Sequence, residues 1–342
     1  MLEPGLLEKL CTACGISGDE GEVRDIILDE IRPFADEINI DSLGNVIVFK
    51  QGKQRAKKKL MLSAHMDEVG FIVTDIQDNG MLKFECVGGI NDSAAFAKQL
   101  FVGKDKIPGV VCSKPLHLIG SDEKGKNPPV KSLEIDIGAK NKEEAEEYVR
   151  LGDSIVFDSP YENKYGRIIS KAIDDRLGCL VLTDMIKSEL PYDMYFVFCV
   201  QEEVGLRGST AAAYTVAPDS AIVVEATTAA DLPTVGNEKR VCIVGNGAVV
   251  SYMDRSTIYD KEYYALAMNI AKEKNIPVQT KTMIAGGNDA GAIHRSRSGV
   301  CTIAVSVPCR YLHSSSSLIS EDDAKAVYEL VYALAENIAG NE

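Results

Sequence analysis

Apolar residues recur along this chain in two rhythms. In "SGDEGEVRDIILDEIRPF", Val23, Ile26, Ile27 and Ile31 follow a Ser/Asp start at helical spacing, which predicts an amphipathic helix. "EINIDSLGNVIVFK" predicts two strands joined by a turn at Ser42 to Asn45. From Lys59, "KLMLSAHMDEVG" is a short apolar strand followed by a polar break. Between Glu68 and about Tyr165 the texture changes. Short β-like runs such as "GFIVTDIQDNGMLKFECVGG" and "GVVCSKPLHLIGSD" alternate with Gly- and Lys-rich turns, with one helical stretch at "NKEEAEEYVRL".

Beyond this segment strands and helices alternate: "GRIIS" then "DDRLGCLVLTDMIKSE", "YFVFCV" then "GSTAAAYTV", and "SAIVVEA". "KEYYALAMNIAKEKN", "GVCTIAVSV" and a final helix from Glu321 to about Ile338 follow. Alternation of this kind predicts an α/β fold, a mixed and mostly parallel sheet flanked by helices. Residues 68–165 read as a small β-rich domain inserted between the two parts, 1–67 and 166–342, of a larger one.

The polar residues that follow the apolar strands carry the chemistry. "KLMLSA" leads to His65 and Asp67, "GRIISKAI" to Asp174 and Asp175, and "YFVFCVQ" to Glu202 and Glu203; "SAIVV" runs into Glu225, and "GVCTIAVSVPCRYL" leads to His313. In open α/β sheets ligands bind beyond the carboxyl ends of the strands. Histidine and carboxylate suit zinc and similar divalent ions. Two histidines and three carboxylates are the inventory for two metals sharing one bridging carboxylate, a pair that sits roughly 3.5–4 Å apart. Singly each residue has a plainer explanation: Asp174 and Asp175 as a helix cap, a lone histidine as a core residue. The force of the pattern is its repetition at five strand ends in a chain with only four histidines. Adjacent Glu202 and Glu203 repel unless a cation or a proton intervenes. One of the two can ligate a metal while the other accepts a proton from water and passes it to a leaving amine.

Composition narrows the partners. Of 342 residues, 45% are hydrophobic and 26% charged, which is ordinary globular usage, and no apolar run approaches the ~20 residues that span a bilayer. A formal net charge of −14 disfavours nucleic acid. No signal peptide is legible in "MLEPGLLEKLCTACG". The nine cysteines are odd in number and scattered; Cys199, Cys242 and Cys301 lie in apolar runs, and Cys11 and Cys14 read as one face of a packed helix. These features predict a reduced, cytoplasmic protein.

On "SAHMDEVGF", "KAIDDRLG", "QEEVGLRGS", "GGNDAGAIH" and "VPCRYLHS", in order and spacing over nearly the whole chain, the sequence resembles the metallo-aminopeptidases of peptidase family forty-two. These are also called tetrahedral aminopeptidases; they include glutamyl aminopeptidases, and some members carry the name endoglucanase. The resemblance implies two divalent ions, zinc or cobalt, which polarise the scissile carbonyl and supply hydroxide. It puts His65 and Glu225 on one ion, Glu203 and His313 on the other, and Asp174 between them. It makes Glu202 the general base, with Asp67 behind His65. It also implies short peptide substrates, an inserted domain that dimerises, and a twelve-subunit tetrahedron. Glu225 stands where the family commonly has Asp, which moves the carboxylate out by one methylene. "GGNDAG" has Asn where many relatives have Thr and is assigned no chemistry; His117 and His294 are expected to be structural. Two other readings compete. A glycosidase of the endoglucanase type needs two carboxylates but no metal pair, leaves both histidines unexplained, and has no Trp for sugar stacking. A metal-binding assembly protein without activity would have lost Glu202.

Overall fold

The computed structural model describes residues 3–112, 117 and 128–340. Its main sheet has eight strands in the spatial order Glu37–Ile40, Val46–Lys50, Met194–Cys199, Leu60–His65, Ser220–Thr228, Cys301–Cys309, Ala248–Val250 and Val278–Thr280. The four central strands, Met194–Cys199 to Cys301–Cys309, run parallel. Val46–Lys50 and Ala248–Val250 flank them antiparallel, so the sheet is mixed as the alternation predicts. Leu60–His65 is buried at every position, as a central parallel strand covered on both faces must be.

Helix Ile173–Lys187 packs against Leu60–His65 and Ser220–Thr228, and is itself overlaid by helices Pro4–Thr12 and Gly21–Ile31. That double coverage explains why it is apolar all round: 13 of its 15 residues are buried. Helix Glu321–Gly340 covers Cys301–Cys309.

Between Leu60–His65 and Met194–Cys199 the chain builds a closed antiparallel barrel of six strands. Their order is Gly70–Ile76, Leu82–Val87, Glu134–Asp136, Ile107–Cys112, Gln99–Val102 and Ser154–Phe157. It has a core of its own, in which the Phe71 ring meets Phe84 and Phe157 edge-on at 5.1 and 5.4 Å. Closure leaves no free sheet edge. "NKEEAEEYVRL" supplies helix Lys142–Tyr148, capped by the Asn141 side chain. Of "GVVCSKPLHLIGSD", the first residues lie in Ile107–Cys112 and His117 is exposed; the rest lies outside the described residues.

Several expectations change in place. "GRIIS" forms no part of the main sheet: Arg167–Ser170 pairs with Glu162–Lys164 and Ser317–Ser320 in a separate antiparallel sheet. Glu225 does not end its strand but sits within Ser220–Thr228, which continues because it keeps pairing with Cys301–Cys309. Cys301, the first residue of its strand, lies at the exposed rim rather than in the core. Cys14 falls beyond helix Pro4–Thr12, since Ala13 is extended, so the two cysteines do not share a helix face.

Candidate metal centre

Four neighbouring parallel strands carry five of the expected residues to one end of the sheet. His65 closes Leu60–His65, Glu202 and Glu203 follow Met194–Cys199, Glu225 lies within Ser220–Thr228, and His313 follows Cys301–Cys309. Asp174 arrives from the side, in the first turn of Ile173–Lys187, where Asp174 and Asp175 have non-helical dihedrals and a cis peptide joins them. The two carboxylates diverge. Asp175 accepts the Gly178 amide at 3.0 Å and the His65 amide at 3.3 Å, the capping role that an Asp-Asp pair suggests. A Cβ on Gly178 would lie 2.3 Å from the Asp175 carboxylate, so this cap needs glycine there.

Asp174 instead faces both histidines. Its Oδ1 lies 3.1 Å from His65 Nε2 and its Oδ2 3.4 Å from His313 Nε2. Glu225 Oε1 is 3.5 Å from His65 Nε2, and Glu203 Oε1 is 3.2 Å from His313 Nε2. Ligand-capable atoms of His65, Asp174 and Glu225 fall within 4.8 Å of one another, as do those of Asp174, Glu203 and His313, and of His65, Glu202 and Glu203. Glu225 Oε1 also accepts the Ala226 amide at 3.0 Å.

Each histidine is held from behind. His65 Nδ1 lies 3.0 Å from the backbone carbonyl of Asp67, and His313 Nδ1 2.9 Å from that of Gly89. With Nδ1–H donating to a carbonyl, each Nε2 faces the acidic cluster. The Asp67 carboxylate stands at 3.5 Å from His65 Nδ1 and has closer work elsewhere. It accepts the Ser17 hydroxyl at 2.6 Å and the amides of Glu202 and Glu203 at 3.0 and 3.1 Å. Asp67 thus anchors the backbone of the glutamate pair.

The electrostatics follow from crowding acids and imidazoles in a buried cluster. Burial pushes the Glu225 carboxyl up to about 8, with the Asp174 charge adding to it. Burial likewise raises Glu203 and raises Glu202 well above the carboxylate range. For the histidines burial works the other way but is outweighed: Glu225, Asp174 and Asp67 hold His65 well above its ordinary value, and Asp174 and Glu203 hold His313 at about 11. Despite its burial, Asp174 is held well below the carboxylate range by the two imidazoles. A cluster with more acids than bases therefore retains protons that divalent cations would replace. Imidazole nitrogens and carboxylate oxygens converging in this way suit divalent ions.

Three further features left little trace in the sequence. Glu68 is buried against Lys171 at 2.6 and 2.8 Å and Arg176 at 3.3 Å. Arg176 also donates to the carbonyls of Leu10, Gly15 and Met66, which locks the N-terminal segment under the site. Both were legible only as charges within "KAIDDRLG". Asp289, from "GGNDAG", is buried beside Ser209 and Cys199, and its charge adds to the rise of the Glu202 carboxyl. The Gly89 carbonyl, as backbone, had no signal. His294 donates to the Ala290 carbonyl of its own short helix.

The family model for M42 glutamyl aminopeptidase matches residues 44–330, a span that contains every one of these cluster residues. The chain belongs to the M42 family. As an M42 member it is a hydrolase of the peptidase class. The chain is 38% identical over 328 residues to a putative aminopeptidase of Acetivibrio thermocellus, covering 95% of this chain and 96% of that one. Among solved structures, it matches a Pyrococcus horikoshii TET peptidase that can assemble into a tetrahedron or a large octahedral shell. Identity there is 33%, the TM-score 0.85, and coverage 99% of both chains. A Thermotoga maritima protein named endoglucanase is also similar, at 36% identity and TM-score 0.81, with 97% and 96% covered. The M42 fold thus accounts for the mixed sheet and the barrel together.

Proposed function

We propose that the chain is a two-metal aminopeptidase that removes N-terminal residues from short peptides. The observation that carries this reading is Asp174, whose two oxygens each face a different histidine–glutamate pair. His65 and Glu225 would hold one ion, His313 and Glu203 the other, and Asp174 would bridge; zinc and cobalt suit these donors. When bound, such a pair polarises a carbonyl and lowers the pKa of water. Glu202 is the proton acceptor: it lies beside His65 and Glu203 without belonging to either bridged pair, and burial gives its carboxylate a high proton affinity. Asp67 keeps that carboxylate in place through the amides of the glutamate pair.

Residues 68–165 would form the inserted unit through which subunits dimerise, with 1–67 and 166–342 as the catalytic unit. The assembling TET relative supports self-association, and a tetrahedral dodecamer is the form proposed. All nine cysteines are free, in keeping with a reducing cytoplasm, and no helix among the described residues is long and apolar enough to cross a membrane. The glycosidase reading gains nothing from the geometry: the carboxylates converge on histidines, which glycoside hydrolysis does not require. Glu202 is in place, which disfavours an inactive assembly protein.

The test is hydrolysis of a panel of aminoacyl-anilides before and after chelation, with zinc or cobalt restored. Activity on free-amino substrates should vanish with chelator and return with metal. Glu202→Gln should bind metal like the parent yet lose at least about a hundredfold in kcat. Peptidase activity that survives complete metal removal, or a fully active Glu202→Gln, would sink the proposal.

A further inference from the structure

The two histidines differ in where their support comes from. His65 leans on the carbonyl of Asp67, two residues along its own loop. His313 leans on Gly89, 224 residues away and just past the barrel strand Leu82–Val87. The turn that brings this carbonyl in is tightly fitted. Gly88 has φ +84°, and a Cβ there would lie 2.8 Å from Val69 Cγ1 and 3.3 Å from Glu203 Cβ. Phe157, the last residue of another barrel strand, lines the cleft beside Asp174, Glu203 and His313. The barrel therefore touches the His313 side of the cluster, while among the described residues the His65 ring is supported from Asp67, outside the barrel.

We propose that the Gly88–Gly89 turn is a positioning element for His313, and that the seating of the barrel on the sheet unit sets the donor geometry of one half of the site alone. The Nδ1–H bond to Gly89 fixes the ring plane, so Nε2 meets Asp174 and Glu203 only while the barrel is seated. This rests on the reading of the two donor groups as cation sites.

The experiment uses the full chain, stripped with chelator, in three forms: the parent, Gly88→Ala, and Gly152→Ala. Gly152 lies in the barrel region with φ +87° and nothing within 4 Å, so it imposes the backbone penalty without the contact. Zinc is titrated by calorimetry, and exchange of the His313 ring Nδ1–H is followed by NMR. Gly88→Ala should weaken one of two binding events by about tenfold or more, leave the other nearly unchanged, and speed ring N–H exchange. Gly152→Ala should match the parent in both readouts. If Gly88→Ala does not fold, the pair Val69→Ala with Gly88→Ala removes the closest clash and carries the same test. Equal weakening of both events, or a folded variant with unchanged affinities and a protected ring N–H, overturns the proposal. A parent that binds no zinc defeats the cation reading instead, and ring exchange then decides the positioning contact by itself.

Discussion

Asp67→Asn separates two roles that the same carboxylate could play. In the parent, Oδ1 accepts the Glu202 amide, and Oδ2 accepts the Glu203 amide and the Ser17 hydroxyl. Asparagine offers one oxygen. If it takes the Oδ2 position, its NH2 group points at the Glu202 amide; if it takes the Oδ1 position, two donors lose their acceptor. The better arrangement thus forfeits at least one bond to a charged acceptor, about 1.5–3 kcal/mol. Because that bond holds Glu202, the loss should appear in turnover, as roughly a 10- to 100-fold fall in kcat at saturating metal. The His65 ring rests on the Asp67 backbone carbonyl, which asparagine retains, so zinc affinity should fall by less than about tenfold. The assay is anilide hydrolysis at saturating metal beside zinc titration of the stripped protein. The opposite split, with kcat preserved and affinity down a hundredfold, would show that the carboxylate serves His65 and refute the reasoning.

Three other outcomes follow from the geometry. Lys171→Met leaves Glu68 buried with the 3.3 Å contact to Arg176, and should cost about 3–5 kcal/mol in urea unfolding; a loss below about 1 kcal/mol would refute the buried ion pair as a source of stability. Asp184, in helix Ile173–Lys187, has its carboxyl pushed up to about 6 by burial and leaves one oxygen unbonded, so its ionisation opposes folding as pH rises from about 4 to 6. Asp184→Asn should therefore raise Tm at pH 8 and leave it unchanged at pH 3.5; a gain of the same size at both would refute the assignment. Zinc loading should release protons, and release should shrink as pH rises through about 8, where Glu225 already ionises; calorimetry in buffers of different ionisation enthalpy measures it.

The sequence exposes those site residues that end or follow long apolar strands, because strand direction fixes where they emerge. His65, Glu202, Glu203 and His313 were legible on that ground, and Glu225 almost so, although its strand runs on past it. Asp174 joins the cluster from outside the main sheet: the strand before it pairs with Ser317–Ser320, a contact across the chain that local pattern does not encode. The contacts that orient the site are mostly to backbone. The Gly89 and Asp67 carbonyls and the glutamate amides belong to every residue type, so no side-chain identity announces them. The Glu68–Lys171–Arg176 group stayed hidden for a different reason. Charges near a helix start usually face solvent, and only the overlay by Pro4–Thr12 and Gly21–Ile31 turns them inward.

Helix Ile173–Lys187 has almost no wet side, and that bears on how this gene can drift. An ordinary amphipathic helix tolerates polar exchange along its outer stripe; here only Asp174 and Lys187 among its 15 residues lie outside the buried set. Random substitution should therefore find more damaging positions per residue in this helix than in Lys261–Lys274, where three are buried. Since Asp174, the proposed bridge between the two donor groups, lies in the first turn of this helix, selection for folding and selection for the proposed chemistry fall on one stretch of sequence.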